Sequence, residues 1–454
     1  MDLSDPGPSD PDPSSARPDS PASGAAAPDM AAADSVEPDP SGPGGDAGLP
    51  VLADLAAAFA SAAGATAPEP LGGGTELRAA ACGYWARRGL ATGPEHVVAA
   101  PGGRPLLLAL LAAAGGDVLL ARPCASWYEP LARLAGRPAY HSAVPAECGG
   151  VPDPFALLET VRRVRAEGGA PRVLVLAVAD DPTGTVAPPE LLHEVCEAAA
   201  DEGLLIVSDE TCRDTVHDPH DTVVVGPAEM LPERVVVLND LAGALTPPGW
   251  PVALARFPAT ARGAELRAGT LATLGALGAR LSAPVAAAAG LALAEPPAVR
   301  ARAAAAARVL GAVAGAAYRE LTDAGVLCRP PRAGARLYAD FGELGEALEA
   351  RGVTDSVELE RHLGRRLGRP VPGGHRFGDP PPALRARLSV LPLLGVTDEQ
   401  RQRALDAPDP LRLPHVADAL RDFAAVFAEL SASEPSGSEP SGSEPSGSGR
   451  GARE

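Results

Sequence analysis

The stretch VVVLNDLAGALTPPGWPVALARF, residues 235–257, decides how the rest of the chain is read. Its first four residues are aliphatic and form a buried strand over 235–238. A loop opens at Asn239 and Asp240, Pro247, Pro248 and Gly249 make a turn, and a second apolar strand begins at Val252. No residue of that loop carries a primary amine on its side chain. The same holds for all 454 residues: the 39 basic residues counted as lysine plus arginine are all arginine. Chemistry that needs a lysine amine as its reagent has no such group in this sequence.

Outward from this loop, apolar strands alternate with helices. Strands are expected at 97–100, 118–121, 139–144, 173–179 and 204–208. Helices are expected at 51–63, 76–88, 106–114, 127–135, 155–167 and 189–202. Strands apolar on both faces, separated by helices of this length, make a mainly parallel sheet covered on both sides, so the fold class is α/β. From about residue 290 the order changes. A long helix over 298–324 leads to strands at 336–341 and 386–391 and to helices at 344–350, 356–367 and 416–430, the pattern of a smaller α+β domain. The expected division is a helical arm of the small domain at 49–90, a large domain over 91–290 and the small domain over 291–430.

Composition bounds the function. Alanine, glycine, proline and arginine are heavily used and aromatics make up only 3%, a bias that explains surface arginine in place of lysine. A formal net charge of −19 argues against nucleic acid or an anionic membrane as partner. Residues 1–48 hold one arginine, Arg17, against nine aspartates and Glu37, and EPSGS repeats three times over 434–448. Both ends, 1–48 and 431–454, are expected to be disordered, because they cannot bury enough apolar surface to offset their ordering entropy. No basic region followed by an apolar run opens the chain, and the alanine-rich runs are interrupted by Arg, Gly and Pro. Neither a secretory leader nor a membrane span is expected. Six scattered cysteines with no CxxC pair suit reduced thiols and a cytoplasmic chain.

Ordered motifs carry the candidate chemistry. Gly102, Gly103 and Arg104 stand at a strand-to-helix turn, the geometry that offers backbone N–H groups to an anion. Pro123-Cys124-Ala125-Ser126-Trp127-Tyr128 follows a strand. Asp180-Asp181-Pro182-Thr183-Gly184 lies between an apolar strand and a helix. Ser208-Asp209-Glu210-Thr211-Cys212 closes the next strand. Downstream come Pro372-Gly373-Gly374-His375-Arg376-Phe377-Gly378 and then Arg387-Leu388-Ser389.

In this order the motifs resemble those of the class I/II aminotransferases, enzymes of fold type I that use pyridoxal phosphate to move an amino group between an amino acid and a keto acid. The resemblance covers about residues 50–430. It implies that Gly102, Gly103, Arg104 and Asp240 lie at the cofactor phosphate. Asp181 and Cys212 then lie at its phenolic oxygen, Asp209 at its pyridinium nitrogen, and Arg387 at the substrate carboxylate. In the family a lysine stands six residues before a Gly-Trp-Arg triplet. Here that position is Gly243, Pro251 replaces the triplet's arginine, Asp240 a serine, Asp181 an asparagine, Cys212 a tyrosine and Ala125 the ring-stacking aromatic, for which Trp127 is a candidate substitute. No catalytic residue is assigned and no metal is implied. The resemblance implies a homodimer, or a heterodimer with an active paralogue, and a small amino or keto acid as possible ligand. Three functions stay open: a pseudoenzyme without transaminase activity of its own, an enzyme holding the cofactor noncovalently with His217 or His375 as base, and a cofactor-free module sensing a small acid through Arg387.

Overall fold

The computed structural model describes residues 48–431; the two ends read as disordered lie outside the described residues, save Gly48 and Ser431 at their borders. Seven strands form the large sheet: β1 (Val97–Ala100), β2 (Asp117–Arg122), β3 (Ala139–Ala143), β4 (Pro171–Ala177), β5 (Leu205–Asp209), β6 (Val235–Asp240) and β7 (Ala253–Arg256). Their order is β1-β7-β6-β5-β4-β2-β3. From β3 to β6 neighbours are parallel, and β7 runs antiparallel to both β6 and β1. The fold is α/β.

Two-residue alternation divides each central strand between two cores. Val235 and Val237 pack with Leu174, Ile206 and Leu254 on one face of the sheet; Val236 and Leu238 pack with Val173, Val207 and Ala255 on the other. Helices Thr75–Arg87, Pro189–Asp201 and Ala283–Ala294 supply the first core, and Gly103–Ala114 supplies Leu106, Leu107 and Leu110 to the second. A side chain of this kind contributes about 1.5–3 kcal/mol when fully buried. Three further antiparallel strands, β8 (Leu327–Cys328), β9 (Arg336–Asp340) and β10 (Arg385–Ser389), lie in the order β10-β9-β8. They share a core with helices Pro297–Asp323, Ser356–Leu367 and Pro414–Ser431.

Several expected boundaries move. β6 does not end at Leu238: Asn239 and Asp240 stay paired with Leu254 and Ala253 of β7. Both polar side chains are satisfied at the strand end, Asn239 by donating to the Tyr84 hydroxyl at 2.9 Å and Asp240 by the contacts described below. The helix expected from residue 106 starts at Gly103, three residues earlier, with Gly102 as its cap at φ +101°. Helices Ala261–Ala276, Ala283–Ala294 and Asp398–Asp406 were not anticipated. Among the described residues no helix is long and apolar enough to cross a membrane.

Candidate functional site

Because β7 is antiparallel to both its neighbours, β1 and β6 point the same way, and the C-terminal ends of β1, β2, β4, β5 and β6 meet at one edge of the sheet. In open α/β sheets that edge is where ligands bind. A solvent-open cleft enclosing about 1120 Å³ of empty space lies there. Its walls include Ala125, Trp127 and Tyr128 after β2, Asp180 and Asp181 after β4, Asp209, Thr211 and Cys212 at the end of β5, Asp240 and Gly243 after β6, and Arg336 at the start of β9. Four of the motifs separated in sequence thus share one cavity; Gly102, Gly103, Arg104 and Arg387 do not line it, Gly103 reaching it through Asp240 and Arg387 through Asp181.

Asp240 is the most constrained of these groups. Its Oδ2 accepts from the Gly103 N–H at 2.7 Å and its Oδ1 from the Ala242 N–H at 3.0 Å, while its own N–H donates to Thr211 Oγ1 at 3.1 Å. Burial raises the carboxyl to about 6, although both backbone donors and the charge of Arg104 pull the other way. Thr211 also donates its N–H to Asp209 Oδ1 at 2.9 Å, so one residue links the two acids. Asp209 Oδ2 accepts from the Tyr128 hydroxyl at 2.6 Å, and burial raises its pKa as well. Trp127 packs edge-on against Tyr128, with ring centroids 4.8 Å apart. Cys212 faces the same cleft, its thiol pushed up to about 12 by burial and by the nearby Asp181 and Asp209.

The two adjacent acids after β4 have divided their work. Asp180 is fully buried and closes the turn: its Oδ2 accepts from the Thr183 hydroxyl at 2.5 Å and from the Thr183 N–H at 3.2 Å. Burial raises it to about 7. Asp181 turns to Arg387, whose Nη1 donates to both of its oxygens at 2.8 and 2.9 Å. Arg387 is 3% exposed and its guanidinium lies 5.0 Å from the centre of the Phe377 ring. Sequence reasoning passed over Asp180, Thr211 and Arg336. The doubled aspartate before Pro-Thr-Gly was the available indication for Asp180, and nothing local marks the other two.

His217 and His375, considered as bases, do not line the cleft. His217 Nε2 is held at 2.7 Å by the Gly334 carbonyl, and His375 Nδ1 lies 3.0 Å from Ser356 Oγ. Burial lowers both pKa values. Gly243 lines the cleft with φ +92°, its N–H bonded to the Thr246 carbonyl at 2.7 Å. All six cysteines are free, and no group of three or more metal-ligating side chains occurs among the described residues.

A mixed α/β sheet with its cleft at the strand C-termini, capped by a smaller antiparallel sheet, defines the architecture of fold type I. Residues 43–386 match the family described as aminotransferase class I and II, and the chain belongs to that family. The probable aspartate/prephenate aminotransferase of Thermus aquaticus is 31% identical over 203 residues, 44% of this chain and 51% of its own length. The aspartate/prephenate aminotransferase of Thermus thermophilus is 31% identical over 207 residues, 45% and 51% of the two chains. The chain therefore spans about half the length of the curated relatives it matches. Among solved structures, aspartate aminotransferase from Thermus thermophilus with maleate superposes at TM-score 0.67 with 23% identity, covering 84% of this chain and 90% of that one. N-Succinyldiaminopimelate aminotransferase from Mycobacterium tuberculosis gives TM-score 0.67 and 23% identity, covering 84% and 91%.

Pyridoxal phosphate is the family's cofactor, and the residues present do not fit it. No lysine amine is present in the chain to anchor it, and Gly243 stands on the cleft wall after β6. The first-turn amide of Gly103 that would meet the phosphate already serves a buried carboxylate, and that carboxylate carries the same sign of charge as the phosphate. The guanidinium of Arg387 is likewise engaged by a carboxylate, that of Asp181.

Proposed function

We propose that this chain is a non-transaminating member of its family, a pseudoenzyme that keeps the fold and the cleft but not the chemistry. The observation that carries this reading is a chain of 454 residues without lysine; Gly243, on the cleft wall, is the residue that the resemblance puts at the lysine position. Transamination needs an amine that holds the cofactor aldehyde and then moves a proton at the substrate carbon. A glycine does neither, and neither histidine considered as a substitute base borders the cleft. The chain acts instead as a cytoplasmic binding or pairing subunit, as a homodimer or beside an active relative; a small amino or keto acid would reach Arg387 only by displacing Asp181.

One experiment on the purified chain addresses both parts: an amino-transfer assay with aspartate, glutamate or prephenate pairs and added pyridoxal phosphate, run beside sedimentation. The expected outcome is no oxo acid above the protein-free control and a particle of two chains. Catalytic turnover would refute the pseudoenzyme, and a single-chain mass would remove self-pairing.

A further inference from the structure

We propose that Asp240 is a tethered anion that fills the phosphate subsite of this fold from within, so that the cleft excludes phosphate-bearing ligands. This deepens the reading above, since it names what the chain has placed where the ligand's charge would sit. Helix Gly103–Ala114 presents the Gly103 N–H and the positive end of its dipole to the end of β6. Asp240 Oδ2 lies there, 2.7 Å from the Gly103 nitrogen, and Oδ1 is anchored by the Ala242 N–H. The register of the sheet fixes the contact: Ala100 and Asp240 are both paired with Ala253, so the end of β1 and the end of β6 lie level on either side of β7. The backbone is fitted around the carboxylate. A Cβ on Gly103 would come within 3.0 Å of Oδ2 and 3.3 Å of the Asp240 Cβ, and one on Gly102 would meet Pro251 at 3.5 Å. An incoming phosphate finds its donor spent and a like charge fixed beside it. To admit it, Asp240 would have to give up the Gly103 bond while staying 5% exposed.

Inorganic phosphate is the probe, titrated into the full chain by calorimetry and thermal melting with chloride at equal ionic strength as control. Wild type is expected to give no saturable heat and no phosphate-specific shift in melting. Asp240→Ser and Asp240→Asn each gain phosphate affinity by at least about tenfold, and Asp240→Ser melts lower without phosphate and recovers as phosphate is added. Saturable phosphate binding by wild type as tight as that of either variant would overturn the proposal. So would a folded Asp240→Ser that ignores phosphate. If Asp240→Ser does not fold in either buffer, Asp240→Asn decides, since it keeps one oxygen for Gly103 while losing the charge and the second acceptor that now faces Ala242. Tighter binding than wild type supports the proposal, and equal binding overturns it. No amino donor takes part, so phosphate binding by wild type would refute the tethered anion and leave the absence of transamination standing.

Discussion

Asp180 and Asp240 show how a carboxylate can be kept in a cleft without a ligand. Each is buried, each is held by neighbouring donors, and burial still raises the pKa, to about 7 and about 6. A raised carboxyl pKa means that the folded chain holds the proton more tightly than the unfolded chain. The stability from these groups is fully present below about pH 4 and is lost as the pH rises through 6 and 7. Asp180→Asn removes the steeper part of that loss, so its melting temperature should fall less than that of wild type between about pH 5 and pH 8. An equal fall in both would mean that Asp180 does not titrate in this window. Gly243 has a conformational constraint besides its missing amine. At φ +92° any other residue is strained, and Gly243→Lys should lose about 1–2 kcal/mol in urea unfolding. An unchanged unfolding midpoint would contradict the backbone geometry. At this scale the residues in question were legible, because the resemblance leads to Gly243, Asp240 and Pro251 by counting from one Gly-Trp pair. Which of Asp180 and Asp181 would face Arg387 was not legible, since the two read alike until the Pro-Thr-Gly turn points one inward to Thr183 and the other across the cleft.

Elements whose apolar residues face two cores were readable at once. The runs read as strands at 173–179 and 235–238 are strands, over Pro171–Ala177 and Val235–Asp240, and both lie inside the sheet. The start of the helix at Gly103 was not readable, because two glycines and an arginine carry no periodicity; what fixes it is the carboxylate 137 residues away that satisfies its first-turn amide. Helices Ala261–Ala276 and Ala283–Ala294 were missed for a different reason. Alanine has the best intrinsic helix propensity, but it gives little contrast between buried and exposed faces, so the amphipathic pattern is faint although Leu274, Ala289 and Leu293 are buried. The small sheet packs on an aromatic cluster that the structure alone reveals. Phe427 is fully buried, stacks on Phe341 at 6.0 Å and meets Phe423 edge-on at 4.8 Å. Phe427→Ala should cost about 3–5 kcal/mol, read from the denaturation midpoint at unchanged slope. A loss under about 1 kcal/mol would show that the site collapses around the gap.

Over the whole molecule, fold and chemistry separate on the proposed reading. The sheet order, the two cores and the cleft at the strand ends are those of the family, and they do not depend on the amine or on the phosphate cup. On that reading, the sign of charge changes at the two places where the resemblance puts an incoming anion: Asp240 meets the helix N-terminus and Asp181 meets Arg387. Both acids are reached through strand ends fixed by the sheet, so the exchange leaves the scaffold intact. The most direct measurement is equilibrium dialysis of the purified chain against pyridoxal phosphate and pyridoxamine phosphate, followed by an absorbance spectrum of what is retained. The account predicts that neither compound is held above its free concentration and that the retained solution shows protein absorbance alone. Retention of either at one per chain, at micromolar free ligand, would contradict it.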